Sequence, residues 1–312
     1  MIKPYKAGTF DVADGHVLNY ELFGTPKGIP ILYLHGGPGA GFNDKHKRFF
    51  NPKLHNVIFY DQRGAGKSKP FASLHENNTQ KLVQDTKELL DFLGCKKVIL
   101  LGGSWGSTLS LTFAIEHKKY VLGMILWGIF LGTEDDINFC FQGGNSKSFP
   151  DVWERFVKLV PEKERGNIPA YYLKKMSSKT KDADTFAFEW AYYESSLLKL
   201  NTTEKQVLED LEDLSYKALS PIEAHYMVNR CFLPDNFILD NAHKLSGVPT
   251  SIIHGRYDFL CPPINAYRLN KIIKGSRLFY PIAGHSARDK AIERKLISEL
   301  QRISKLVERS KN

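Results

Sequence analysis

Apolar residues recur along this chain with two different spacings. Short unbroken runs at residues 30–34, 56–60, 98–101, 121–131 and 248–253 read as buried strands. Between two of them, Leu82, Val83, Thr86, Leu89, Leu90 and Leu93 fall on one helical face, and Gly94 stops the helix. Near the start, residues 9–12 and 16–23 flank Ala13-Asp14-Gly15 and predict a hairpin. Alternation of strand and helix predicts a mostly parallel sheet with helices on both faces. The alternation lapses from Gly132 to about Ser246, where there is no clear strand, many aromatics, and helix-like runs at 148–160 and 184–200. It resumes at Val248, and Ile292, Leu296, Leu300 and Ile303 mark a closing amphipathic helix. The simplest organisation is an α/β core of residues 1–131 and 247–312 interrupted by a helical cap over 132–246.

Chemistry enters at the end of the run 98–101. The next residues, Gly102-Gly103-Ser104-Trp105-Gly106, form Gly-x-Ser-x-Gly between a strand and a helix-like segment at 107–117. In that context the motif is a nucleophile elbow. Gly102 and Gly106 relieve crowding in the sharp turn, and Ser104 at its apex is the candidate nucleophile. A serine hydroxyl needs a base, and the base needs an orienting acid. Asp258 follows the strand at 248–253, on a loop closed by Cys261-Pro262-Pro263. His285 follows a strand-like Leu278-Phe279-Tyr280. Both therefore lie on loops after strands, where catalytic groups of parallel sheets collect. His35 and His254 close strands on the core side of a turn and are expected to be packed or hydrogen-bonded. After the strand at 30–34 comes His35-Gly36-Gly37-Pro38-Gly39. Its glycines allow backbone N–H groups to approach a developing oxyanion, with Gly37 and Trp105 as the expected donors.

Composition narrows the alternatives. A chain of 312 residues, 42% hydrophobic, can bury one large core plus an insertion. Its start, Met1-Ile2-Lys3-Pro4-Tyr5-Lys6, lacks the apolar stretch of a secretory signal, and no apolar run approaches the ~20 residues of a membrane span. The net charge of +9 is scattered, with no basic, aromatic-interleaved stripe for nucleic acid. Cys95, Cys140, Cys231 and Cys261 show neither metal-ligand spacing nor a disulfide framework, which points to a reduced, cytoplasmic setting, and the serine chemistry above needs no metal or organic cofactor. Gly64-Ala65-Gly66-Lys67-Ser68 imitates the end of a phosphate-binding loop, but Asp61 stands where that motif needs glycine, so it reads as a structural turn. Nothing in the sequence sets an oligomeric state.

The segments HGGPG, DQRGAGKS, GGSWGS, HGRYDFLCP and AGHS, in that order from about Tyr20 to His285, resemble the proline iminopeptidases of the α/β-hydrolase fold. The resemblance implies a serine aminopeptidase that releases an N-terminal residue, proline in preference, from peptides with a free N-terminus. It also implies that Glu194 and Glu223, in the interrupting region, bind the substrate amine and point towards Ser104, whereas Glu189 is an ordinary helix-surface residue. It suggests Phe130, Phe141 and Cys261 around the proline ring. The chain departs from the family where Trp127 replaces an arginine before Gly-Ile-Phe, where Tyr193 replaces tryptophan before glutamate, and where Phe141 stands for an aromatic hydroxyl. An esterase or amidase of the same fold would keep Ser104, Asp258 and His285 but have no use for paired carboxylates. Epoxide or haloalkane hydrolysis would need a carboxylate at the elbow.

Overall fold

A computed structural model describes residues 3–212 and 214–309. Its centre is one eight-stranded sheet. The first half of the chain supplies β1 (Lys6–Asp11), β2 (Val17–Gly24), β3 (Ile29–Leu34), β4 (His55–Tyr60), α1 (Thr79–Phe92), β5 (Val98–Ser104), α2 (Trp105–Glu116) and β6 (Val121–Ile129). Seven helices follow: α3 (Glu134–Phe141), α4 (Pro150–Lys158), α5 (Ile168–Met176), α6 (Ala183–Leu197), α7 (Glu204–Glu212), α8 (Tyr216–Val228) and α9 (Phe237–Asn241). The sheet is then completed by β7 (Thr250–Ile253), α10 (Ile264–Ile272), β8 (Arg277–Phe279) and α11 (Lys290–Arg309).

The strand order is β1-β2-β4-β3-β5-β6-β7-β8. The hairpin β1–β2 and the pair β2–β4 are antiparallel, and every pairing from β3–β4 onward is parallel. Apolar side chains cover both faces of the sheet, as a parallel sheet requires. Helix α2 is buried along its whole length from Trp105 to Ala114, which is why its sequence shows no polar face. Helix α11 buries the apolar stripe Ile292, Leu296, Leu300, Ile303 and Val307, as its period predicts, with Glu299 and Ser304 buried beside it.

Among the described residues, no strand lies between β6 and β7. Helices α5, α6 and α8 of that interval pack on one another. They seat on the sheet unit through specific polar contacts: the Tyr226 hydroxyl donates to Asn77 Oδ1 at 2.9 Å, and the Tyr226 ring meets Trp105 edge-on at 4.8 Å. The turn after β4 is structural. Asp61 accepts from the backbone N–H groups of Phe42 and Lys67, both at 2.9 Å. Buried Arg63 donates to both oxygens of buried Asp85 at 2.7 and 2.9 Å. All four thiols are unpaired, and burial pushes those of Cys140, Cys231 and Cys261 up, so they stay protonated.

Candidate active site

The elbow forms as its glycines demand. Ser104 ends β5 and heads α2 with φ 54° and ψ −129°, a conformation that costs a non-glycine residue roughly 1–3 kcal/mol. A side chain on Gly102 would strike the Gly106 carbonyl at 2.3 Å, and one on Gly106 would strike the Leu34 carbonyl at 2.1 Å. Gly103 is required for a different reason. It pairs in register with Trp127, whose indole fills the space where a Cβ would sit, 1.9 Å away. The ladder then breaks register between Gly103 and Ser104, which turns the serine out of the sheet.

The loops carrying Asp258 and His285 are zipped together. The N–H groups of His254, Arg256 and Tyr257 donate to the carbonyls of Phe279, Pro281 and Ala283 at 2.9, 2.8 and 3.1 Å. His285 Nδ1–H donates to Asp258 Oδ2 at 2.8 Å. The other carboxylate oxygen accepts from the N–H groups of Leu260 and Cys261 at 3.0 and 2.9 Å. Burial works against charge on Asp258, yet His285 and the bound N–H groups hold its carboxyl below the usual range. Burial likewise pulls His285 down, but the Asp258 charge and hydrogen bond outweigh it and raise the imidazole above its ordinary 6.5. The His285 ring lies against Gly128, where a Cβ would come within 2.7 Å of Cε1. From the helical side, the Leu198 carbonyl accepts from both His285 and Ser286 N–H groups at 2.9 and 3.0 Å.

His254 and His35 are structural, as their positions predict. Ile129 N–H donates to His254 Nδ1 at 3.0 Å, so the proton sits on Nε2 and goes to the Cys261 carbonyl at 2.9 Å. Gln62 N–H donates to His35 Nε2 at 3.0 Å, and the Gln62 carboxamide accepts from Trp105 Nε1 at 2.9 Å. Gln62 thus ties the loop after β3 to the elbow. That loop runs beside the serine: a Cβ on Gly36 would lie 3.5 Å from Ser104 Cβ. Gly37 has φ 103° and precedes a cis proline. Trp105 is the first residue of α2, where backbone N–H groups lack intrahelical partners.

Ser104, His285, Gly37 and Glu194 line one cavity of about 190 Å³, open to solvent. Glu194 projects from α6. Glu223 lies behind it on α8, buried, and accepts from Trp190 Nε1 at 2.7 Å. The two carboxyl groups hydrogen-bond to each other. Burial raises both, Glu223 far more strongly because the neighbouring Glu194 charge adds to it. Glu223 therefore holds a proton more firmly than Glu194, the member that faces the cavity. Glu189, one turn away, is not a free surface residue: Arg155 donates to both its oxygens at 2.7 and 2.8 Å.

Phe130, Phe141 and Cys261 do not line this cavity. All three are buried. Phe141 stacks on Trp190 at 4.3 Å, behind the glutamate pair, and Tyr193 turns inward to donate its hydroxyl to the Cys140 carbonyl at 2.6 Å. Sequence reasoning missed Trp190, Gln62 and Gly128, whose roles depend on contacts between distant segments. Among the described residues, no group of three His, Cys, Asp or Glu side chains is placed to hold a metal ion, and no helix is long and apolar enough to cross a membrane.

A family model for the alpha/beta hydrolase fold matches residues 29–289. A proline iminopeptidase of Arabidopsis thaliana is 38% identical over 98% of this chain and 82% of its own length. A proline iminopeptidase of Xylella fastidiosa is 37% identical over 92% of both chains. Among solved structures, an esterase from Exiguobacterium antarcticum superposes with a TM-score of 0.69 at 20% identity, covering 96% of this chain and 99% of its own, a likeness of fold.

Proposed function

The chain belongs to the proline iminopeptidases of the α/β hydrolase fold, and from that membership we propose that it is a serine aminopeptidase releasing an N-terminal residue, proline in preference, from peptides. Ser104 attacks the carbonyl of the N-terminal residue. His285, oriented by Asp258, takes the serine proton and passes it to the leaving amine. The N–H groups of Gly37 and Trp105 receive the oxyanion, and water then hydrolyses the acyl-enzyme. Residues 132–246 act as the substrate-binding cap on a catalytic core of 1–131 and 247–312. Four unpaired thiols fit a reduced cytoplasmic setting.

One observation carries the aminopeptidase reading: a carboxyl pair, Glu194 with buried Glu223 behind it, presents Glu194 to the cavity that Ser104 and His285 share. Burying a carboxylate is costly, and a cationic amine one residue from the scissile carbonyl repays that cost. An acyl ester offers no such partner.

The test compares prolyl, alanyl and leucyl arylamides, each free and N-acetylated. The expected result is hydrolysis of the free forms, fastest for proline, and loss of activity on acetylation. Turnover that survives acetylation would replace the aminopeptidase by a general esterase or amidase.

A further inference from the structure

The cavity extends well beyond the residues used so far. From His285 its lining continues through Ser286, Ala287 and Arg288, and it includes Lys45, Arg48 and Phe49 of the short 3₁₀ segment Asp44–Phe49. The floor beside them is aromatic. Trp127, Tyr33 and His46 form a stack, with Tyr33 centred 6.4 Å from Trp127 and 4.9 Å from His46. Burial and the positive field of His35, Arg288 and Arg48 pull His46 down to about 3, so this ring is neutral. Arg48 and Arg288 both line the cavity, and the Arg48 guanidinium reaches the carbonyl of Ala287, the residue before Arg288.

Both arginines are held in place by side contacts that leave donors to spare. Arg48 Nε–H bonds Glu293 at 2.9 Å and an Nη–H bonds the Ala287 carbonyl at 3.2 Å. Arg288 pairs with Asp210 of α7, which also accepts from Lys199 at 2.6 Å. A guanidinium carries five N–H donors in a planar fork suited to carboxylate. The lining as a whole has four cations, Lys45, Arg48, Lys199 and Arg288, against the carboxylates Glu194 and Asp210.

We propose that this mouth is a leaving-group subsite that reads the C-terminal carboxylate of a di- or tripeptide, with Arg48 and Arg288 as its clamp and the Tyr33–His46–Trp127 floor beneath the residue after the scissile bond. The inference rests on the aminopeptidase reading above. His285 protonates the leaving amine, so the departing portion starts at His285 and runs outward along residues 286–288. Its terminal carboxylate then lies one or two residues from the reacting atoms, against the stretch of wall that Arg48 and Arg288 line. Neutral ends, as in amides and longer chains, forfeit that pairing.

The test measures kcat/KM for prolyl-phenylalanine and prolyl-phenylalanyl-glycine against their C-terminal amides, in the same preparation. The wild-type protein should prefer at least one acid over its amide by about tenfold or more, as for other charge-assisted pairs. The Arg48→Gln/Arg288→Gln variant should bring that acid-to-amide ratio within about threefold of unity. Because the ratio is internal, general loss of activity does not mimic the effect. Equal hydrolysis of acid and amide by the wild type, or a ratio unchanged in the variant, overturns the subsite and leaves the aminopeptidase reading standing. Cleavage of none of the four peptides overturns both.

Discussion

Gly255 offers the sharpest steric test of how the catalytic loops are joined. It sits between the strand β7 and Asp258, pressed against the segment that carries His285. A Cβ there would lie 1.9 Å from the Gly284 carbonyl oxygen and 2.6 Å from that of Ala283. Real Cβ atoms essentially never approach closer than 3.0 Å, so Gly255→Ala forces the loops apart by about 1 Å. The Asp258–His285 hydrogen bond is 2.8 Å long, and that opening carries it past the range of a hydrogen bond, roughly 3.6 Å. Misplacement of a catalytic group by about 1 Å costs on the order of 10²-fold in rate. The expected outcome is a folded protein, judged by circular dichroism, with kcat on a prolyl arylamide lowered about 100-fold or more. Gly166→Ala is the control, because nothing lies within 4 Å of its added Cβ, and it should match the wild type. Activity of Gly255→Ala within about threefold of wild type would refute the claim that these loops position the pair.

Three further outcomes follow from the same geometry. Glu194→Gln removes the carboxylate that faces the cavity and should lower kcat/KM about 10- to 150-fold, the worth of a hydrogen bond to a charged group, whereas Glu223→Gln can still accept from Trp190 and donate to Glu194 and should lose less; equal losses in steady-state assays would contradict Glu194 as the member that meets the substrate amine. The acid limb of kcat/KM should lie above pH 6.5, because Asp258 raises His285 and only the neutral imidazole accepts the serine proton, so activity falls as pH drops through that raised value; Asp258→Asn should move the limb to lower pH in a pH–rate profile, and an unmoved limb would assign it to another group. Asp85→Ala leaves the buried Arg63 short of its bidentate partner and should destabilise the fold by about 3 kcal/mol in urea titration, where a loss under about 1 kcal/mol would show that Asp14 suffices.

Much of this site could be read before the fold was known, because its signals are local. The elbow is a backbone requirement, so Gly102, Ser104 and Gly106 announce it within five residues. Asp258 and His285 follow strands whose apolar runs are unmistakable, and chain order does the rest. The glutamates were reachable only through likeness to a family, since periodicity cannot say that α6 and α8 bring positions 194 and 223 together, nor that Trp190 supports one of them. The expectation for Glu189 erred in detail because its partner, Arg155, comes from a third helix. The cationic mouth left no trace in the sequence at all: Tyr33, Arg48 and Arg288 come from segments that meet only when the sheet closes. Helix α2 begins at Trp105, two residues earlier than its hydrophobic pattern suggests, because a helix buried all round carries no period to mark its start.

The most direct measurement is the intact mass of the protein quenched within its first turnover on a prolyl ester, followed by peptide mapping. The account predicts one prolyl adduct on Ser104, absent from Ser104→Ala and absent when the ester is N-acetylated. An adduct on any other side chain, or equal labelling by the acetylated ester, would contradict it.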